Sequence, residues 1–206
     1  MAIPSAQLLS MPTNPAAAQS VEFTATDIIA VSVSPFTAQQ QTQDWQQGWL
    51  EASISLPPLT QKQAQQWIAF LMGLRGQLNV FMWGDPLATA PAGSAAGSPL
   101  VSGDGQKGFS LATSGWTANA VGVLLPGDWL QIGQRLYRTL LAADADATGN
   151  ATISIWPPLR ESPVDGAPLI LTNTQGLFRL KSNARKWSET EARYYGMQFE
   201  IREALA

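Results

Sequence analysis

The run from Thr60 to Trp83, TQKQAQQWIAFLMGLRGQLNVFMW, most constrains what this chain can fold into. Thr60 stands as N-cap with Gln63 three residues on, the pairing of a capping box that satisfies otherwise orphan backbone donors. Ala64, Trp67, Ile68, Leu71 and Met72 then share one helical face. Arg75 falls in the expected last turn, where a cation complements the helix dipole, and Gly76 takes the position after it. The spacing predicts a helix over 60–75. Leu78, Val80 and Met82 alternate with Asn79 and Phe81, so a strand leaves the helix directly. Next comes GDPLATAPAGSAAGSP, a linker poor in charge and rich in Ala, Gly, Pro and Ser. Strong alternation returns only at Tyr195, Met197, Phe199 and Ile201. The pattern predicts a mainly β chain with one helix, in which a core begun early is finished late. One domain is built from 1–84 together with 176–206, and a second is inserted over 85–175. Such a split belongs to assembly proteins more often than to enzymes.

Other segments fit that frame. Residues 1 to about 20 hold Pro4, Pro12 and Pro15 and read equally as an arm laid on a neighbour or a frayed tail. Val21 and Phe23, then Ile29, Val31 and Val33 beyond a break at Asp27, have the period of a strand that Pro35 ends. TAQQQTQDWQQGW is Gln-rich and reads as a long hairpin arm or a flexible loop. Leu50, Ala52, Ile54 and Leu56 make a half-buried strand stopped by Pro57 and Pro58. In the insertion, short strands are expected at Val121–Leu125, Asp128–Ile132, Arg135–Leu141, Ala151–Trp156 and Pro168–Leu171, a spacing that suits a small barrel or sandwich. GDGQKG at Gly103–Gly108 lacks the Walker spacing and reads as a flexible loop. Two strands close the chain, one through Leu177, Phe178 and Leu180 and one over 193–202, with the polar turn SNARKWSETEA between them.

Composition narrows the chemistry. The 206 residues include no cysteine and no histidine, which excludes disulfides, Cys/His zinc sites, thiol nucleophiles and a Ser-His-Asp triad. Net charge is −3, and Arg179, Lys181, Arg185 and Lys186 are offset by Glu189 and Glu191, so no nucleic-acid specificity is expected. Between 85 and 175 there are 7 acidic and 4 basic residues, a net of −3; the rest has 8 of each. No apolar run approaches the roughly 20 residues of a membrane helix, and the N-terminus lacks a signal-peptide pattern, so a soluble protein made in the cytoplasm is expected.

Asp144 and Asp146 in DADATGN lack the further ligands and closing Glu of a calcium loop. Glu189 and Glu191 have nothing to mark them as an acid and base pair. No catalytic, cofactor-binding or metal-binding residue is therefore assigned. Among eight tryptophans, Trp67 and Trp83 have core spacing, and Trp129 and Trp156 sit on expected strands as packing residues. Trp116, in the polar run ATSGWTAN, is the candidate exposed aromatic for stacking on a sugar. Trp45 and Trp49 flank the Gln-rich arm and, with Trp187, are the candidate inter-subunit contacts.

The layout resembles the distal tail and minor tail proteins of long-tailed bacteriophages. The carrying features are the strand–arm–strand start over Val21–Leu56, the helix PPLTQKQAQQWIAFLMGLRG, the strand LNVFMWGDP, the runs PGDWLQIGQRLYRTL and ATISIWPPLR, and the closing YYGMQFEIRE. This resemblance covers nearly the whole chain, as an arrangement rather than a fingerprint. It implies a belt-type β-sandwich and an inserted barrel akin to an oligonucleotide/oligosaccharide-binding fold. It also implies a hexameric ring in the virion that joins the tail tube protein to the tail-tip hub protein, with side fibres as further partners. No catalytic residues are carried over, and no large receptor-binding extension is expected after the core. A carbohydrate-binding adhesion module resting on Trp116 is the alternative.

Overall fold

The computed structural model describes residues 6–14, 18–190 and 194–204. The chain is mainly β, with a single helix among the described residues. In order, β1 (Leu8–Leu9), β2 (Ser20–Val33) and β3 (Gln40–Ser55) precede α1 (Gln61–Gly73) and β4 (Val80–Trp83). The middle of the chain supplies β5 (Gly97–Val101), β6 (Gly108–Trp116), β7 (Trp129–Ile132), β8 (Arg135–Thr139), β9 (Ala151–Leu159) and β10 (Leu169–Ile170). The end supplies β11 (Gly176–Leu180), β12 (Trp187–Glu189) and β13 (Tyr195–Glu203).

One sheet has the order β1-β4-β11-β13-β3-β2, with β12 paired to β13. It is laid down from both ends of the chain. The other has the order β10-β7-β8-β9-β6-β5 and comes wholly from the middle. Its edges nearly meet, since Val101 and Gly166–Ala167 exchange backbone bonds of 2.9 Å and Leu100 bridges Pro168, so the sheet is almost closed like a barrel.

The alternation read in β13 places Met197, Phe199 and Ile201 in the first core, with Gln198 and Glu200 outside. Trp67, Phe70 and Leu71 on α1 cover the same core. Gln63 Oε1 accepts from the Thr60 backbone N–H at 3.0 Å and from its hydroxyl at 2.8 Å, which holds the helix start. The helix ends at Gly73, two residues before the expected stop. Arg75 therefore lies outside the last turn, in a left-handed conformation at φ 51°. Asn79 anchors this corner: its Nδ2 donates to Gly73 O at 2.9 Å and its Oδ1 accepts from Gln7 N–H at 3.0 Å. The described part of the N-terminal segment lies on this chain's own body. Leu8–Leu9 pair in parallel with Val80–Phe81, and Trp67 Nε1 donates to Asn14 O at 3.0 Å.

A second core lies inside the nearly closed sheet, around Leu111, Val123, Leu124, Leu130, Ile153 and Ile155. Two side chains of the middle segment, Trp129 and Leu136, belong instead to the first core. Phe23 sits between Trp83 and Trp129, with ring centroids at 5.4 and 5.8 Å. Buried Glu203 on β13 adds a charged link, 3.7 Å from Arg135 and 3.3 Å from Arg160. Burial pushes its carboxyl up, against the pull of both guanidiniums.

Two expectations for the middle segment need correction. The linker is partly strand, because β5 begins at Gly97. Val121–Leu125 is not a strand; its backbone is held by single contacts, such as the bridge from Leu124 to Ala143. The Gly103–Gly108 loop joins β5 to β6 and is tied by Gln106, whose Nε2 donates to Ser102 O and whose Oε1 accepts from Ala112 N–H.

Candidate functional site

The Gln-rich stretch is a strand. β2 and β3 form one long antiparallel ribbon, with Val21 facing Ile54, Phe23 facing Ala52 and Asp27 facing Gly48. At this base Leu50, Ala52 and Ile54 are buried in the first core. The register then slips, so that Ile29 faces Asp44. The extra residues lie on β3, where Gln46 takes φ 50° and its N–H donates to Asp44 Oδ1 at 2.7 Å. A bulge of this kind re-aims a ribbon. It falls at the break read at Asp27.

The bulge is also where the second sheet grips the ribbon, as Trp156 Nε1 on β9 donates to Asp27 Oδ1 at 2.7 Å. Beyond it the strands leave the body as an arm. No residue is inserted in β2, so Ile29, Val31 and Val33 continue the side that Val21 and Phe23 present to the core. All three are exposed, as is Ile28. The tip turn is closed by Ser34 N–H donating to Gln39 O at 2.9 Å and holds Phe36 at 94% exposure. β2 is also the last strand of its sheet, so its outer backbone groups have no strand beside them.

The candidate contact residues fare differently. Trp45 lies at the bulge and is 58% exposed. Trp49 is half-buried and packed within the chain: its Nε1 donates to Glu51 Oε1 at 3.0 Å, and the Arg202 guanidinium lies 4.6 Å above its ring. Burial alone would push the Glu51 carboxyl up. Lys181 at 2.7 Å, Arg202 at 2.6 Å and the Trp49 indole outweigh it and hold that carboxyl at about 2. Trp187 is 41% exposed on β12. It borders a groove of about 930 Å3 that Leu56, Leu71, Leu180 and Met197 also line.

Trp116 is not an exposed platform. It is 5% exposed in the second core, and its Nε1 donates to the Thr113 hydroxyl at 2.8 Å. Gly115 causes this, since its φ of 83° breaks the alternation of β6 and turns the next side chain inward.

The carboxylates considered for chemistry hold local structure. Asp146 Oδ1 accepts from the Thr148 and Asn150 N–H groups and the Thr148 hydroxyl, bonds that bring its pKa down to about 2. Asp144 Oδ1 accepts from Gly122 N–H at 2.6 Å, and Glu189 Oε1 accepts from the Tyr195 hydroxyl at 2.8 Å. Glu191 lies outside the described residues. Among the described residues no cluster of acidic groups is placed to hold a metal ion, and no helix is long and apolar enough to cross a membrane.

No family model matches the chain, and no curated protein matches it. The geometry of the arm and groove is therefore the ground for a functional reading.

Proposed function

We propose that this chain is a non-enzymatic structural subunit of a bacteriophage tail tip. It forms a ring, of six copies as the family resemblance implies, that joins the tail tube protein to the tail-tip hub protein within the virion. On this reading the body is a belt-type β-sandwich, and the middle segment is a barrel akin to an oligonucleotide/oligosaccharide-binding fold that offers a place for side fibres.

The apolar arm carries the proposal. A two-stranded ribbon is marginal alone in water, and this one exposes Ile29, Val31, Val33 and Phe36 beyond the end of its own core. Such a ribbon gains its burial from another molecule. An arm on one side of a subunit that meets a different surface on the next generates a closed ring when the rotation closes. The carbohydrate-binding alternative loses its residue, because Trp116 is buried.

The test is the solution mass by light scattering, with negative-stain images of the same sample, alone and mixed with tube and hub proteins. Closed rings are the expected result. A chain that stays monomeric at high concentration and beside both partners overturns the proposal.

A further inference from the structure

Which surface of a neighbour receives the arm can be narrowed, and the inference rests on the ring reading above. Cross-strand partners share a face of the ribbon about 5 Å apart. Asp44 is the partner of Ile29, so a surface that covers Ile29, Val31 and Val33 also meets the Asp44 carboxylate. Asp44 is the arm's one charge between residues 28 and 47. The bond from Gln46 N–H leaves that carboxylate its full charge, and a charge taken from water without a counter-ion is strongly penalised. The receiving surface must therefore pair an apolar floor with a cation at its border.

The groove beside Trp187 meets that requirement. Pro58, Trp187 and Tyr194 supply its exposed apolar surface over a floor of buried Leu56, Leu71, Leu180 and Met197. Arg185 and Lys186 stand on its wall, and Glu200, also there, is paired with Lys181 at 3.5 Å. Among the described residues neither cation is in an ion pair, whereas Arg135, Arg160, Lys181 and Arg202 all are. The exposed apolar residues Val121, Leu125 and Leu141 on the middle segment fit poorly, because Asp144 is bonded beside them at Gly122 and repels Asp44.

The arm cannot reach the groove of its own chain. Gln19 and Ser55, which line the groove, stand at the base of the ribbon. From Ser20 to Val31 the strand runs roughly 36 Å away from it, at about 3.3 Å per residue.

We propose that the apolar face of the arm seats in the Trp187 groove of a second copy, with Asp44 meeting Arg185 and Lys186. Arm and groove are different surfaces, so each copy gives one and receives one, as a closed ring needs.

The chain has no cysteine, so single replacements give clean cross-links. Val31→Cys protein mixed with Ala184→Cys protein and mildly oxidised should yield a disulfide-linked pair. Val31→Cys mixed with Val121→Cys should not. Asp44→Lys should weaken self-association by about tenfold, and adding Arg185→Asp and Lys186→Asp to the same chain should restore it. Linkage to the Val121→Cys protein, or rings that form equally well with Asp44→Lys, would exclude the groove while the ring reading stands. A chain that never self-associates, alone or beside tube and hub proteins, overturns both.

Discussion

At the base of the β2–β3 ribbon and along its arm, the same alternation of apolar and polar residues has opposite outcomes. Ile54 and Val31 are both β-branched, and both lie on the side of the ribbon that faces the core. Ile54 is covered by the helix and the closing strands, while Val31 projects past the last layer that could cover it. Strand pattern therefore reports which side of a sheet wants burial, and not which molecule provides it. An apolar stripe longer than the core beneath it is a mark of assembly.

Substitutions at the two ends should separate these outcomes. Ile54→Ala should cost about 2–5 kcal/mol in urea unfolding, through lost transfer energy and a cavity. Glu51→Gln strips Lys181 and Arg202 of their shared carboxylate on the outer face of the base. Their partial exposure limits the loss to about 1–3 kcal/mol at neutral pH. The Glu51 carboxyl is held at about 2 against an ordinary value of 4.5, so its stabilisation is present above about 4.5 and is lost as pH falls toward 2. The variant should therefore show a flatter acid limb in a pH series of melting curves. Equal acid sensitivity in both proteins would assign the limb elsewhere. At the boundary between base and arm, Trp156→Phe removes the bond to Asp27 and should cost about 0.5–1.5 kcal/mol. Faster amide exchange at Gly48 and Trp49 should accompany it. On the arm, Val31→Ser should shift monomer stability by less than about 0.5 kcal/mol while lowering self-association. A large loss of monomer stability there would mean that the arm folds back on its own body.

The body was legible because its signals are local and regular. The capping pair Thr60 and Gln63, the helix face through Trp67 and Leu71, and the alternation through Ile201 each follow a fixed period. The bulge was visible as the break at Asp27. The Gln-rich strand stayed open between arm and loop, because its partner β2, not its own composition, makes it a strand. Trp116 departs from its expected exposure because one left-handed glycine reverses a side-chain direction that a polar sequence gives no other means to assign. β5 hid in a segment rich in Gly, Ala and Pro, where closure of the sheet rather than propensity creates the strand. Of the three candidate contacts, Trp45 and Trp187 are exposed on the arm and at the groove. Trp49 is taken up by Glu51 and Arg202, partners that are remote in sequence or invisible without the sheet register.

Trp83 and Gly176 are cross-strand partners, so the whole excursion from Gly84 to Gln175 starts and finishes on neighbouring strands. The junction is tight enough that a side chain at Gly84 would come within 1.9 Å of Thr174 O. A body sealed across two adjacent stumps can exchange its passenger without redrawing its own sheet. The conditions are narrow. Any replacement must bring an aromatic ring to the place of Trp129, or Phe23 loses one of its two walls, and an apolar side chain to that of Leu136. It must also bring cations to the places of Arg135 and Arg160, or buried Glu203 is left unpaired. Those seats set the terms on which one scaffold could carry different cargoes.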